Sequence, residues 1–70
     1  MEAFYFKYKA KYLNGEAKDY CYFKVQKDGK VTTLSPAKSK ISFQKAIQIP
    51  KGFEVIEKME FDKVRAQLED

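Results

Sequence analysis

Seventy residues, a net charge of +4, one cysteine and no histidine bound what this chain can do. The length allows one domain, 1–70, and a small core, because a chain of this size buries only about 60% of the surface it exposes unfolded. A single cysteine excludes an internal disulfide, and the missing histidine removes the commonest general base and metal ligand near neutral pH.

The first element is written as an alternation. Phe4, Phe6, Tyr8, Ala10 and Tyr12 fall on one side, and Tyr5, Lys7, Lys9 and Lys11 on the other. A period of two is a β-strand, here expected over about 3–13. Asn14-Gly15 then marks a two-residue hairpin turn, which needs positive φ at both positions, and a second strand is expected over about 16–27. That turn pairs Tyr8 with Cys21, Phe6 with Phe23 and Phe4 with Val25, so the apolar residues of both strands share a face. Asp19 is the misfit on that face, expected near water at the open end. A slip of one residue would expel Phe23 and bring Tyr20 inward.

The same register writes the opposite face: Tyr5 opposite Lys24, Lys7 opposite Tyr22, Lys9 opposite Tyr20, and Lys11 opposite Lys18. It is expected to face solvent. Asp28-Gly29 marks a second turn. As a two-residue loop it pairs Val25 with Thr32 and Phe23 with Leu34, placing Leu34 with the phenylalanines in a third strand, 30–34, and turning Val31 outward.

Ser35-Pro36 ends that strand, since proline cannot donate to a ladder. Residues 41–49 fit two patterns. Ile41, Phe43, Ile47 and Ile49 alternate, with Lys45 the exception; Phe43, Ala46 and Ile47 also sit at helical spacing behind a capping Ser42. A short helix at 42–48 is the favoured reading. Pro50-Lys51-Gly52 is a turn and 53–56 a short strand. The stripe Phe61, Val64, Leu68 predicts an amphipathic helix over about 59–69 that cannot persist undocked. The fold expected is therefore α+β: an antiparallel meander of three to four strands with a C-terminal helix.

Charge is distributed unevenly. Residues 1–52 carry +7 and residues 53–70 carry −3, and 13 of the 14 cations are lysine. An anionic partner would meet the sheet first. Tyr5, Tyr20 and Tyr22 among Lys7, Lys9, Lys11, Lys18 and Lys24 form the candidate binding face, with rings for stacking bases and ammonium groups for phosphates. Lysine lacks the planar fork that reads base edges, so the expected nucleic-acid contact has little sequence preference. The structural alternative is that lysine stems merely cover the rings. The functional alternative is a protein adaptor or inhibitor, such as a phage or mobile-element accessory protein, that docks on an acidic protein partner through this face or an edge strand.

Catalytic chemistry finds no constellation. Cys21 faces the expected core as a small hydrophobe. Ser35, Ser39 and Ser42 read as cap and turn residues without a neighbouring base. The carboxylates Glu57, Glu60 and Asp62 read as a solvated helix face, and Gly15, Gly29 and Gly52 are isolated turn glycines rather than a phosphate loop. No enzyme activity, cofactor or metal is expected. Apolar runs of three or four residues fall short of a membrane span. A lone cysteine without a signal peptide reads as cytoplasmic, and the chain as a monomer or weak homodimer.

Phe6-Lys7-Tyr8-Lys9, the lysine-rich sheet and a short C-terminal helix resemble the small archaeal chromatin proteins with SH3-like barrels, which bind the DNA minor groove. The sequence departs from that family in having no sheet tryptophan and no triple-glycine hairpin. No functional residue is carried over.

Overall fold

The computed structural model describes residues 3–9 and 19–70. Among these residues, five strands form one antiparallel sheet: β1 (Ala3–Lys9), β2 (Tyr20–Gln26), β3 (Val31–Ser35), β4 (Lys40–Gln44) and β5 (Glu54–Val55). Helix α1 (Lys58–Glu69) follows, and the strands lie in the order β4-β3-β2-β1-β5. This is the expected α+β class, with one strand more than the sequence suggested. The Asn14-Gly15 turn, and the parts of the first two predicted strands near it, lie outside the described residues.

The β1–β2 register is the expected one: Phe6 pairs with Phe23, Tyr8 with Cys21 and Tyr5 with Lys24. Alternation of apolar residues on two strands at once leaves no other solution that keeps Phe23 beside Phe6.

The β2–β3 register differs from expectation by one residue. Val25 pairs with Val31, Lys24 with Thr32, Phe23 with Thr33 and Tyr22 with Leu34. The turn explains the shift. The Gly29 N–H donates to the Gln26 carbonyl at 2.9 Å, and the Gln26 N–H donates to the Lys30 carbonyl at 2.8 Å. The loop therefore has three residues, closed by Gly29 at φ +92°, in the turn-plus-bulge arrangement of three-residue hairpins. Asp28 steadies it, accepting the Lys30 N–H at 3.0 Å. One extra loop residue reverses the facing of every β3 side chain. Leu34 joins the Tyr5/Tyr22 face and Val31 joins the phenylalanine face, and both are buried.

The predicted helix at 42–48 does not form: residues 42–44 belong to strand β4, paired to β3 through Leu34–Ile41, Thr32–Phe43 and Val31–Gln44, and residues 45–48 are in neither helix nor strand. Alternation wins because Ile41 extends the apolar surface begun by Leu34, while the helical alternative had three apolar positions and no partner. A 3-10 turn, Pro36–Lys38, and Ser39 at φ 50° reverse the chain between β3 and β4.

Both sheet faces are covered. On one, Phe6 is fully buried and stacks on Phe23 with centroids 4.6 Å apart and planes 10° from parallel. Phe53 closes over Phe6 edge-on at 5.6 Å. A Cβ on Gly52 would lie 4.0 Å from the Tyr8 ring, so the connection from β4 to β5 runs across this face. On the other face α1 lays Phe61 against Tyr5 at 5.4 Å, in a cluster with Tyr22 and Leu34. Ala3, Tyr20, Ile41, Ile56, Val64 and Leu68 surround it. Asp19, expected near water, is buried just before β2.

Candidate functional site: the Tyr/Lys face and the β4 edge

The register of β1 and β2 does bring the candidate residues together. Tyr5 lies opposite Lys24, Lys7 opposite Tyr22 and Lys9 opposite Tyr20. Lys11 and Lys18 lie outside the described residues. What the structure corrects is the exposure of this face: Tyr5 is 9% and Tyr22 4% exposed. Tyr20, Lys7 and Lys24 are half-buried, and only Lys9 is exposed.

The cause lies in the Asp28-Gly29 turn. By reversing β3 it sets Leu34 beside Tyr22, and β4 then adds Ile41 to the same face. The centre of the Tyr/Lys face thereby becomes apolar enough to receive the Phe61-Val64-Leu68 stripe. A fully buried aromatic or branched side chain contributes roughly 1.5–3 kcal/mol, so docking α1 here outweighs leaving the tyrosines open.

Lysine 7 shows how the closed face handles its charge. Its ammonium donates to Glu60 Oε2 on α1 at 3.1 Å and sits 4.8 Å above the centre of the Tyr20 ring. The Glu60 carboxylate accepting that bond holds the Lys7 pKa above the usual 10.5, against the opposing effect of burial. Burial pushes the Tyr22 hydroxyl above its usual 10.0. The acidic helix thus meets the basic face within one chain, and it covers the rings of Tyr5 and Tyr22 while Tyr20 stays half-buried.

The open surface lies at the sheet edge. Among the described residues, strand β4 has a neighbour on one side only, so its outward N–H and C=O groups face away from the sheet. Phe43, its fourth residue, is 71% exposed, and Ile49 in the following segment is 49% exposed. Lys38, Lys40 and Lys45 are exposed around it. Residues 36–51 hold four lysines and no carboxylate, and that charge bias is the sequence signal for this surface. Cys21 is half-buried with its Sγ 3.8 Å from Ser35 Oγ, an ordinary contact for a small side chain in a packed sheet.

Among the described residues, no helix is long and apolar enough to cross a membrane. No protein-family model, curated protein or solved structure matches this chain.

Proposed function

We propose that this protein is a small non-enzymatic binding module that docks on an acidic protein partner by pairing an extended segment with the β4 edge. One observation carries the reading: an edge strand left unpaired among the described residues, with an exposed Phe43, inside a sixteen-residue stretch that has four lysines and no carboxylate. Edge pairing supplies main-chain hydrogen bonds for affinity, and alternate side chains supply specificity. Phe43 is the apolar anchor, and Lys38, Lys40 and Lys45 select acidic neighbours.

Edge lysines also deter self-association. Antiparallel pairing of two β4 strands about Ser42 would set Lys40 opposite Gln44 and bring two lysine-bearing, carboxylate-free segments side by side. The charges that repel a second copy attract an acidic strand. A polyanion reading through the Tyr/Lys face has less support, because Tyr5 and Tyr22 lie beneath α1. The single cysteine is in keeping with work in the reducing cytoplasm.

The test is fluorescence anisotropy with two labelled probes: an extended peptide alternating valine and glutamate, and a single-stranded oligonucleotide. Peptide binding that weakens between about 50 and 200 mM salt and is lost in Phe43→Asp supports the reading. Oligonucleotide binding that survives Phe43→Asp, with no peptide binding, overturns it.

A further inference from the structure

We propose that the corner of the sheet between β1 and the start of α1 is a binding site for a singly charged organic anion with an apolar body. The site is separate from the β4 edge and does not depend on the function proposed for that edge.

Its origin is the shortness of β5. That strand pairs only with Phe6 and Lys7 of β1, and the last main-chain link is the Ile56 N–H donating to the Tyr5 carbonyl at 3.1 Å. The chain then turns into α1. Among the described residues, Ala3 and Phe4 have no strand on their outer side. The gap is a cleft of about 490 Å³ walled by Ala3, Phe4, Val55 and Ile56. That volume is within the roughly 300–1,000 Å³ of small-molecule sites, which are mostly apolar with a few polar groups fixing orientation.

A second cleft of about 360 Å³ adjoins it and shares Ala3, Tyr5 and Lys58 with it. Its character is different, because Lys24, Lys27 and Lys58 all border it. Among the described residues, two carboxylates border the combined site, Glu57 in the apolar part and Asp28 in the basic part. Asp28 is already engaged by Lys30, through its N–H at 3.0 Å and its ammonium at 3.9 Å, and Lys58 is paired with Asp62. Lys24 and Lys27 are the cations left to hold a head group, and Glu57 offsets one of them, so a single negative charge fits better than a multiply charged one. A carboxylate with an aliphatic or aromatic tail places its tail against Val55 and Ile56 and its head toward these lysines.

The test is an amide-resolved NMR titration of the full chain with three probes: decanoate below its micelle concentration, decanol, and inorganic phosphate. The proposal expects saturable decanoate shifts at Ala3, Tyr5, Ile56 and Lys58, with β4 amides unmoved. It expects decanol and phosphate to bind at least tenfold more weakly. Lys24→Gln with Lys27→Gln should bring decanoate to the level of decanol, and Ala3→Leu, which fills the cleft, should abolish both. Lysine substitution at exposed and half-exposed positions keeps the test valid if Ala3→Leu does not fold. The proposal is overturned if decanoate gives no saturable shifts, if decanol or phosphate binds equally well, or if the lysine double variant binds decanoate unchanged.

Discussion

Removing the Phe61 ring probes whether α1 holds the Tyr/Lys face closed. Phe61 is 1% exposed and touches Tyr5, and it sits in the cluster formed with Tyr22 and Leu34. Truncating a fully buried phenylalanine costs about 3–5 kcal/mol, combining lost transfer energy with the cavity left behind. The upper part of that range applies, because the sheet below is held by its own ladders and cannot collapse into the space. A domain of 70 residues has roughly 4–10 kcal/mol of stability in all, at 0.05–0.15 kcal/mol per residue. Phe61→Ala should therefore lose half or more of the total. Urea unfolding followed by circular dichroism measures this, and the midpoint should fall by one half or more with an unchanged slope. Met59→Ala on the same helix is the control, since Met59 is 78% exposed and should change stability by less than about 0.5 kcal/mol. Equal, small effects from both variants would refute the docking of α1 on this face.

On the opposite face, Phe6→Ala should cost about 3–5 kcal/mol, because Phe6 is fully buried between Phe23 and Phe53; thermal melting checks it, and a near-wild-type melt would contradict the stack. Gly29→Ala should cost about 1–2 kcal/mol, because φ is +92° and a Cβ meets only ordinary contact with the Lys45 carbonyl at 3.7 Å, making the cost conformational. Chemical denaturation of that single variant reads it, and a neutral result would refute the three-residue turn. For Lys7 and Glu60, a double-mutant cycle with Lys7→Met and Glu60→Gln should give a coupling of about 0.5–1 kcal/mol that shrinks in salt. The pKa values of Lys7 and Tyr22 are both raised on folding, so their contributions are complete below pH 10 and are lost as pH rises through the folded-state values. Stability measured between pH 8 and 11.5 should be flat at first and then decline, and a rise above pH 10 would contradict the assignment.

The legible parts of this fold were those where two independent patterns had to agree. The alternations of 4–8 and 21–25 fix each other's facing, so the β1–β2 register was readable residue by residue. The helix was readable because Phe61, Val64 and Leu68 have no other periodicity. The β2–β3 register was not, because Asp-Gly suits both two- and three-residue loops, and β3 is too short to arbitrate: Val31 and Leu34 are of opposite parity, so either register buries only one of them with the phenylalanines. That single residue decided the fate of the candidate site. It moved Leu34 across the sheet and made the tyrosine face the seat of the helix. A Tyr/Lys alternation reads as solvent-facing only when nothing later in the chain supplies an apolar cover. Here the rings of Tyr5 and Tyr22 act as core residues, with the lysine stems at their margin. The β4 edge was hidden for a related reason, since Phe43 fits helical and alternating patterns alike and only its pairing with Thr32 settles the choice.

The account turns on which surface is closed and which is open, and ring exposure measures that directly. A soluble paramagnetic relaxation agent added to the free protein, with ring protons observed by NMR, broadens only side chains that solvent reaches. The prediction is strong broadening of Phe43 together with protection of Tyr5 and Tyr22 comparable to that of Phe6 and Phe61. Broadening of Tyr5 and Tyr22 equal to that of Phe43 would contradict it and would return the Tyr/Lys face to the surface.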